Sequence, residues 1–543
     1  MAKRNWTKEQ LEAICCDAPD ILVSAGAGSG KTSVLTERII QRLCDDSRPA
    51  DITRMLIVTF TNAATEELRL RVAEALRERL AAEPENRRLR RQLLLLPSAH
   101  IYTISSFCLG IVRANLSALG LPAGLRVCDE AESDLLAAEI MERVIDDFYE
   151  GICPCPTDFG EFCDAFVSDR DSRLAPMLMG LYKKLREYVA GVELLRQNAE
   201  SLRSAASGGT DFMATAWGRS IAEELRAKLG YYVAVFERAL EMFGGDEKLK
   251  KAYYAQFAED LEFARALDSM LAGGAGYAEM REFIGGYKSS RLGQLRGYEK
   301  TPELELFRGA RKEFSGGTSA KPVRETKPGG SDEFVKGIYH KYFSIEPGML
   351  REVLAACALQ CETLYSVLRV FEDRFMAEKR RRAIADFNDL ERYAYRLLYD
   401  GNGNISDLAS AVAADFDEIY IDEYQDTNEL EDKVFAALAK APAPGGDGAR
   451  TRFMVGDVKQ SIYAFRGAEP SLFAAYRSDP AVKTLFLRAN FRSDRPIIEF
   501  ANRVSEYIFT GTGSEVDYGE GDKLVLGKTT ETKDIPVRVV LFD

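Results

Sequence analysis

Histidine is almost missing. His100 and His340 are the only two in 543 residues, which leaves little raw material for a histidine-based triad or a zinc site. Any catalysis must then draw on carboxylates, Lys, Arg and bound metal. No run of 18 or more uncharged apolar residues occurs, so no membrane span is expected. Met1 to Gln10 has no apolar stretch of the kind that directs secretion. Ten cysteines at irregular spacing fit reduced thiols better than a disulfide framework, and a cytoplasmic location is expected. Cys153, Cys155 and Cys163 lack a fourth ligand nearby, which fits neither zinc nor iron–sulfur spacing. Positive charge is also in deficit, with 72 basic against 85 acidic side chains and a net charge of −13. That argues against a whole-surface polyanion binder but not against a local basic groove.

What is present is an ordinary globular composition, 46% hydrophobic, in a chain long enough for about three or four domains. Residues 20–32, Asp-Ile-Leu-Val-Ser-Ala-Gly-Ala-Gly-Ser-Gly-Lys-Thr, read as a short strand, a glycine-rich turn and a helix through Val34, Leu35, Ile39 and Ile40. Further strands are expected at Met55–Thr59, Ile101–Ile104, Asp417–Ile421 and Arg452–Val455, with a helix from about Ser106. One sheet thus draws strands from both ends of the sequence. From about 131 to 385 the pattern is helical instead, with long periodic segments at Glu132–Tyr149, Phe212–Phe243 and Leu350–Met376. Residues 312–333 read as a mobile basic loop within it, and Ala441–Ala449 as a flexible connector. The fold expected is α/β, a parallel-sheet lobe interrupted by a large, mostly α-helical insertion.

Two elements carry chemistry. In Ala25-Gly26-Ala27-Gly28-Ser29-Gly30-Lys31-Thr32 the glycines let backbone N–H groups wrap phosphates, Lys31 reaches the β/γ oxygens, and the Thr32 hydroxyl ligates Mg²⁺. The strict pattern has Gly at the position of Ala25. In Ile419-Tyr420-Ile421-Asp422-Glu423 two adjacent carboxylates end an apolar strand, where in a phosphate-loop protein they face the metal and the γ-phosphate. Asp422 is expected to hold the metal and Glu423 to orient or deprotonate the attacking water. ATP and Mg²⁺ are the cofactors this implies.

Together with the segments between and after them, these elements resemble superfamily 1 helicases of the UvrD/Rep type, in the family's own order. The matching segments are Gln10 within Trp6–Gln10, Val58–Ala64, Tyr102–Phe107, Asp422–Asp426, Gly456–Ala468 and Asn490–Ser493. Within that family, Phe60–Ala64, Asp386–Leu390, Ala468–Phe473 and Glu515–Gly519 look most like the A subunits of AddAB helicase–nucleases. One departure is Ser105, where the family usually has a His that approaches DNA phosphate.

Carried over position by position, the resemblance implies that Gln10 reads adenine and that residues 25–33, from Ala25 to Ser33, hold the phosphates, with Arg38 beyond them among the nucleotide contacts. It implies that Gln460 senses the γ-phosphate, that Arg492 is an arginine finger and that Phe491 stacks on adenine. Phe60, Thr61, Asn62, Ser105, Ser106, Tyr463 and Phe465 would meet DNA, the aromatics as stacking platforms. Basic runs Arg87–Arg91 and Lys379–Arg382 read either as a backbone track or as solvated helix faces.

The resemblance also implies a RecA-like lobe from 1–130 with 386–485, a helical insertion at 131–385, and the start of a second lobe at 486–543. The rest of that lobe and a nuclease domain do not follow. The expectation is therefore nucleotide and DNA binding with feeble hydrolysis and no unwinding. The expected setting is 3′ to 5′ movement on single-stranded DNA, end processing for recombinational repair, and an AddB-type partner in a heterodimer. A stand-alone UvrD/Rep-type or RecB-like helicase stays open, as does a non-catalytic DNA-binding scaffold on the same fold.

Overall fold

The computed structural model describes residues 6–45, 47–166, 173–295, 297–299, 301–315, 334–442, 450–464, 467–509 and 518–528. Six strands form one parallel sheet: β1 (Asp20–Ala25), β2 (Met55–Thr59), β3 (His100–Thr103), β6 (Glu418–Ile421), β7 (Thr451–Gly456) and β8 (Lys483–Leu487), in the order β3-β2-β6-β7-β1-β8. The inner strands β1, β2, β6 and β7 are almost wholly buried because both faces are covered, while the edge strands β3 and β8 are only partly buried. Leu22, Leu56, Val58, Ile419, Ile421 and Met454 lie in one core, while Ile21, Val23, Ile57, Ile101, Tyr420, Phe453 and Val455 lie in the other. The helices α1 (Lys8–Cys15), α2 (Lys31–Cys44), α3 (Asn62–Ala82) and α4 (Arg87–Leu95) close the second face. The first is closed by α5 (Ile104–Ala114) and the helices Phe387–Leu398 and Glu429–Lys440.

Small differences from the expected boundaries have local causes. The α5 helix begins at Ile104 rather than Ser106, because the Thr103 side chain accepts a hydrogen bond from Ser106 N–H and caps it. Lys312–Ser315 belong to the helix Pro302–Ser315 and not to a loop; residues 316–333 and 443–449 lie outside the described residues. The last sheet strand, β8, runs to Leu487.

The chain leaves and rejoins this lobe through a two-residue parallel pair, β4 (Arg126–Val127) with β5 (Ile384–Ala385). Among the described residues between them there are helices but no strands. They surround their own apolar cores, one centred on Phe236, Phe243, Phe257 and Phe314, another on Met141, Leu178, Phe371 and Phe375. The 36-residue helix Pro347–Arg382 is long and apolar enough by composition to cross a membrane. Its buried face, Leu354, Ala358, Val367, Phe371 and Phe375, packs instead on the helix Glu193–Ala206 and on α6 (Glu130–Tyr149).

Where this long helix ends, four charges cluster, three of them buried and the fourth, Asp386, nearly so. Arg186 bonds Asp386 (3.0 Å) and Asp389, and Lys379, fully buried, bonds Asp386 and Asp389 (2.8 Å). Asp386 and Asp389 also form a capping box that starts the helix Phe387–Leu398. Burial alone would raise the Asp386 carboxyl, but Arg186 and Lys379 hold it well below the usual carboxylate range. The basic run Lys379–Arg382 is thus split between a buried member and exposed ones. Lys379 is committed to this cluster, and Arg381 and Arg382 pair with Glu378. The other run is likewise engaged: Arg88 bonds the Asp45 carbonyl (2.7 Å), Arg90 the Pro84 carbonyl (2.8 Å), and Arg91 faces Asp51. The α4 helix also leads into the N-terminal end of β3, away from the strands' C-terminal edge.

One helix turn on, Glu391 and Glu431 are both buried beside Asn428, which donates to Glu391 (3.0 Å) through its amide and to Glu431 (3.1 Å) through its backbone N–H. Burial pushes Glu391 up to about 7 and Glu431 well above its ordinary value. A raised carboxyl in the folded chain favours the protonated form. Its stabilisation is therefore complete below about pH 4.5 and is lost as pH rises through the raised value. Replacing Glu391 by Gln keeps an acceptor for Asn428 and removes the charge. The variant is expected to gain stability over the wild type between pH 5 and pH 8, as read from urea unfolding at both. A difference that does not change with pH would show that Glu391 is not the titrating group.

Candidate nucleotide and nucleic-acid site

All the strands point their C-terminal ends the same way, and the sequence motifs sit on that edge. This is where parallel α/β sheets bind ligands. After β1 the chain turns through Gly28 (φ 71°) and Gly30 (φ 85°), left-handed conformations that suit glycine. The α2 helix then starts at Lys31 with no side-chain cap, whereas Thr61 caps α3 and Thr103 caps α5. Ser29 Oγ is buried in the loop without a hydrogen-bond partner. This cradle, the glycine turn and the uncapped helix start suit a phosphate chain.

Lys31 Nζ lies 3.0 Å from Glu423 Oε2 and 3.3 Å from Gln460 Oε1. That contact joins the phosphate loop to two segments about 400 positions further along the chain. Glu423 has φ 52°, one of only two non-glycine residues with positive φ among those described, and its Oε2 also accepts from Gln425 Nε2 (2.8 Å). Gln425 in turn accepts from Asp457 N–H (2.9 Å), and Asp457 accepts from Gln460 Nε2 (2.6 Å). Asp422 ends the β6 segment, its N–H bonded to the Val58 carbonyl (3.0 Å), and is buried. Burial and then the Glu423 charge push its carboxyl up to about 6. A buried carboxyl with no basic side chain bonded to it, facing a phosphate cradle, has the chemistry to hold a divalent cation, and Thr32 lies half-buried in the first turn of α2.

The segment after β8 closes over the loop. Phe491 N–H donates to the Gly28 carbonyl (2.9 Å), and Asn490 Nδ2 to the Ala27 carbonyl (2.6 Å). Asn490 Oδ1 accepts from Arg492 and Ser493 N–H (2.9 and 2.7 Å), which fixes the turn that carries Arg492. A Cβ placed on Gly28 would fall 2.8 Å from that of Arg492. Gln10 donates to the Ser29 carbonyl (2.9 Å) and accepts from Thr7 N–H (3.0 Å), so both ends of its amide are engaged at the edge of the loop. Phe491 is partly exposed and its ring lies against Gly527.

Arg38 is a correction. It is 2% exposed, stacks over the Phe453 ring and donates to the Ala13 and Ile14 carbonyls (3.0 and 3.1 Å). It fastens the end of α1 to α2 beneath the sheet and is not a nucleotide contact. The motifs alone give no role to Asn490, Asp457 and Gln425, each within three positions of an assigned residue. Their signal was present as polar side chains inside the motifs, but only the fold shows what they brace.

On the same edge, Phe60 and Tyr463 meet at 4.6 Å between ring centroids. Thr61 caps α3, with Asn62 exposed beside it, and Ser105 and Ser106 form the first turn of α5, where Ser106 Oγ accepts from Thr103 Oγ1 (2.7 Å). These residues follow β2, β3 and β7, beside the strands that carry the nucleotide motifs. Phe465 lies outside the described residues.

A parallel sheet, a glycine phosphate loop and a carboxylate pair at the end of a neighbouring strand define a P-loop nucleotide-binding lobe. Residues 6–206 and 352–481 match the model of the UvrD/REP helicase N-terminal domain, and the chain belongs to the UvrD/REP helicase family. It is 33% identical over 536 residues to the A subunit of the ATP-dependent helicase/nuclease of Acetivibrio thermocellus, covering 97% of this chain and 41% of that protein. The corresponding proteins of Geobacillus kaustophilus and Clostridioides difficile are 33% and 32% identical over 97% of this chain, which covers 41% and 40% of them. The chain spans about two fifths of the length of these relatives.

Proposed function

We propose that this chain is the nucleotide-hydrolysing motor portion of an ATP-dependent DNA helicase, of the type found in the larger helicase/nuclease proteins it resembles. The observation that carries the reading is the convergence of Lys31, Glu423 and Gln460 under a loop clasped by Asn490–Arg492, with the Phe60–Tyr463 pair on the same edge. The backbone of residues 26–31 would hold the triphosphate, with Lys31 on its β/γ oxygens. Thr32 and Asp422 would hold Mg²⁺, which when bound neutralises charge on the phosphates. Glu423 would take the proton of the attacking water, Gln460 would report the γ-phosphate to the Tyr463 segment, and Arg492 would meet transition-state charge. Gln10 and Phe491 would border the base. Phe60, Thr61, Asn62, Ser105, Ser106 and Tyr463 would form the track for single-stranded DNA, with stacking that tolerates any sequence.

The direction 3′ to 5′, action at double-strand ends in recombinational repair and an AddB-type partner belong to the same proposal. The names of the relatives, which call each one a subunit of a helicase/nuclease, support the last of these. The first test is binding of a fluorescent ATP analogue and release of phosphate with and without single-stranded DNA. Lys31→Ala is expected to abolish nucleotide binding, and DNA is expected to stimulate whatever hydrolysis the chain performs. A Lys31→Ala variant that binds nucleotide as the wild type does would overturn the site assignment.

A further inference from the structure

Between the helices Leu174–Leu185 and Glu193–Ala206 the helical region sends one short loop, Arg186–Gly191, back against the sheet-bearing lobe. Arg392 Nη1 fixes the backbone of that loop by donating to the carbonyls of Arg186 (3.1 Å) and Tyr188 (2.9 Å). From this anchored base the loop touches both segments that flank the site. Val189 N–H donates to Glu429 (2.8 Å), the first residue of the helix that follows Asp422–Asp426. The Glu187 side chain lies over Gly467, where an added Cβ would fall 2.7 Å from Glu187 Cγ and Cδ. Gly467 has φ 80° and belongs to the turn in which Ala468 N–H donates to the Tyr463 carbonyl (3.2 Å). A further bond, Glu469 N–H to the Thr427 carbonyl (3.1 Å), ties the two flanking segments to each other.

We infer that this loop is a strut, with Glu187 a positioning residue, through which the helical region sets where Tyr463 stands relative to Glu423 and Gln460. A shift of the helical region would be passed on by Glu187 to the turn at Gly467 and by Val189 to the helix at Glu429. The consequence for DNA rests on the function proposed above; the mechanical link does not. Such a link carries coupling, so its loss changes DNA response more than nucleotide binding.

The test compares Glu187→Ala, Glu187→Gln, Gly467→Ala and the double variant Glu187→Ala/Gly467→Ala. Probes are a fluorescein-labelled oligothymidylate, a fluorescent ATP analogue, DNA-stimulated phosphate release and amide hydrogen exchange. Glu187→Ala is expected to raise the DNA concentration for half-saturation about five-fold. Nucleotide affinity and kcat should stay within about two-fold, and exchange should quicken in residues 458–464 but not in β1 or α2. Glu187→Gln, which keeps the stem over Gly467, should restore wild-type values. Gly467→Ala clashes with Glu187 and should weaken DNA binding further, with part of the loss recovered in the double variant. If Glu187→Ala leaves both DNA half-saturation and exchange at 458–464 unchanged, or if the two substitutions are additive, the strut is wrong. If the wild type itself binds no DNA, the proposed function fails, and exchange at 458–464 still decides for or against the strut.

Discussion

Glu423→Gln is expected to lower phosphate release by about 10²–10⁴-fold while nucleotide binding stays within a few-fold, because the change removes a proton acceptor and leaves the shape. Glu423 Oε2 takes hydrogen bonds from both Lys31 (3.0 Å) and Gln425 (2.8 Å), and the Gln side chain still presents an oxygen there. Backbone strain points the same way. Holding a non-glycine residue at positive φ costs on the order of 1–3 kcal/mol, and such strain tends to gather at functional sites. The variant inherits that conformation, so a loss of rate cannot be put down to a rearranged turn. Single-turnover phosphate release beside equilibrium binding of the fluorescent analogue makes the separation. Hydrolysis at the wild-type rate would remove Glu423 from the chemistry.

The second large effect concerns stability. Lys379→Ala should cost about 3–5 kcal/mol, since it strips one cation from a buried cluster and leaves Asp386 and Asp389 with Arg186 alone. Lys379 has no solvent exposure, so water cannot replace the lost partner. Arg381, two positions on, pairs with Glu378 on an exposed helix face. Its replacement by Ala should cost under about 1 kcal/mol. Urea unfolding of the two variants tests the contrast directly. Equal and small losses would mean that the cluster is solvated and does not brace the junction.

That contrast also shows what a sequence can and cannot disclose. Lys379, Arg380, Arg381 and Arg382 look alike in one dimension, and only the end of a 36-residue helix meeting Asp386 and Asp389 separates the buried member from the exposed ones. The phosphate loop and the carboxylate pair were legible because their function depends on local order: glycines beside Lys31, carboxylates at a strand end. Five of the six sheet strands were legible as short, largely apolar runs, whereas the edge strand β8, where burial alternates, was not expected. Arg38 was misplaced because its neighbours in sequence belong to the nucleotide loop while its side chain turns inward to carbonyls of α1. The bracing by Asn490, Asp457 and Gln425, and the meeting of Glu187 with Gly467, depend on long-range packing that no spacing rule contains.

The order of strands has a consequence for how the molecule is born. β1, which carries the phosphate loop, lies between β7 and β8 and touches neither β2 nor β3. Asp20 at its start pairs with Arg452, 432 positions away. While the chain is being synthesised, β2 and β3 can pair early, but β1 must wait with both edges bare until the whole helical region and β6 have emerged. Contacts of such separation form slowly and expose strand edges to other chains in the interval. Nucleotide binding should then be among the last properties to appear in refolding, later than the recovery of helical signal. It would serve as a reporter of finished assembly.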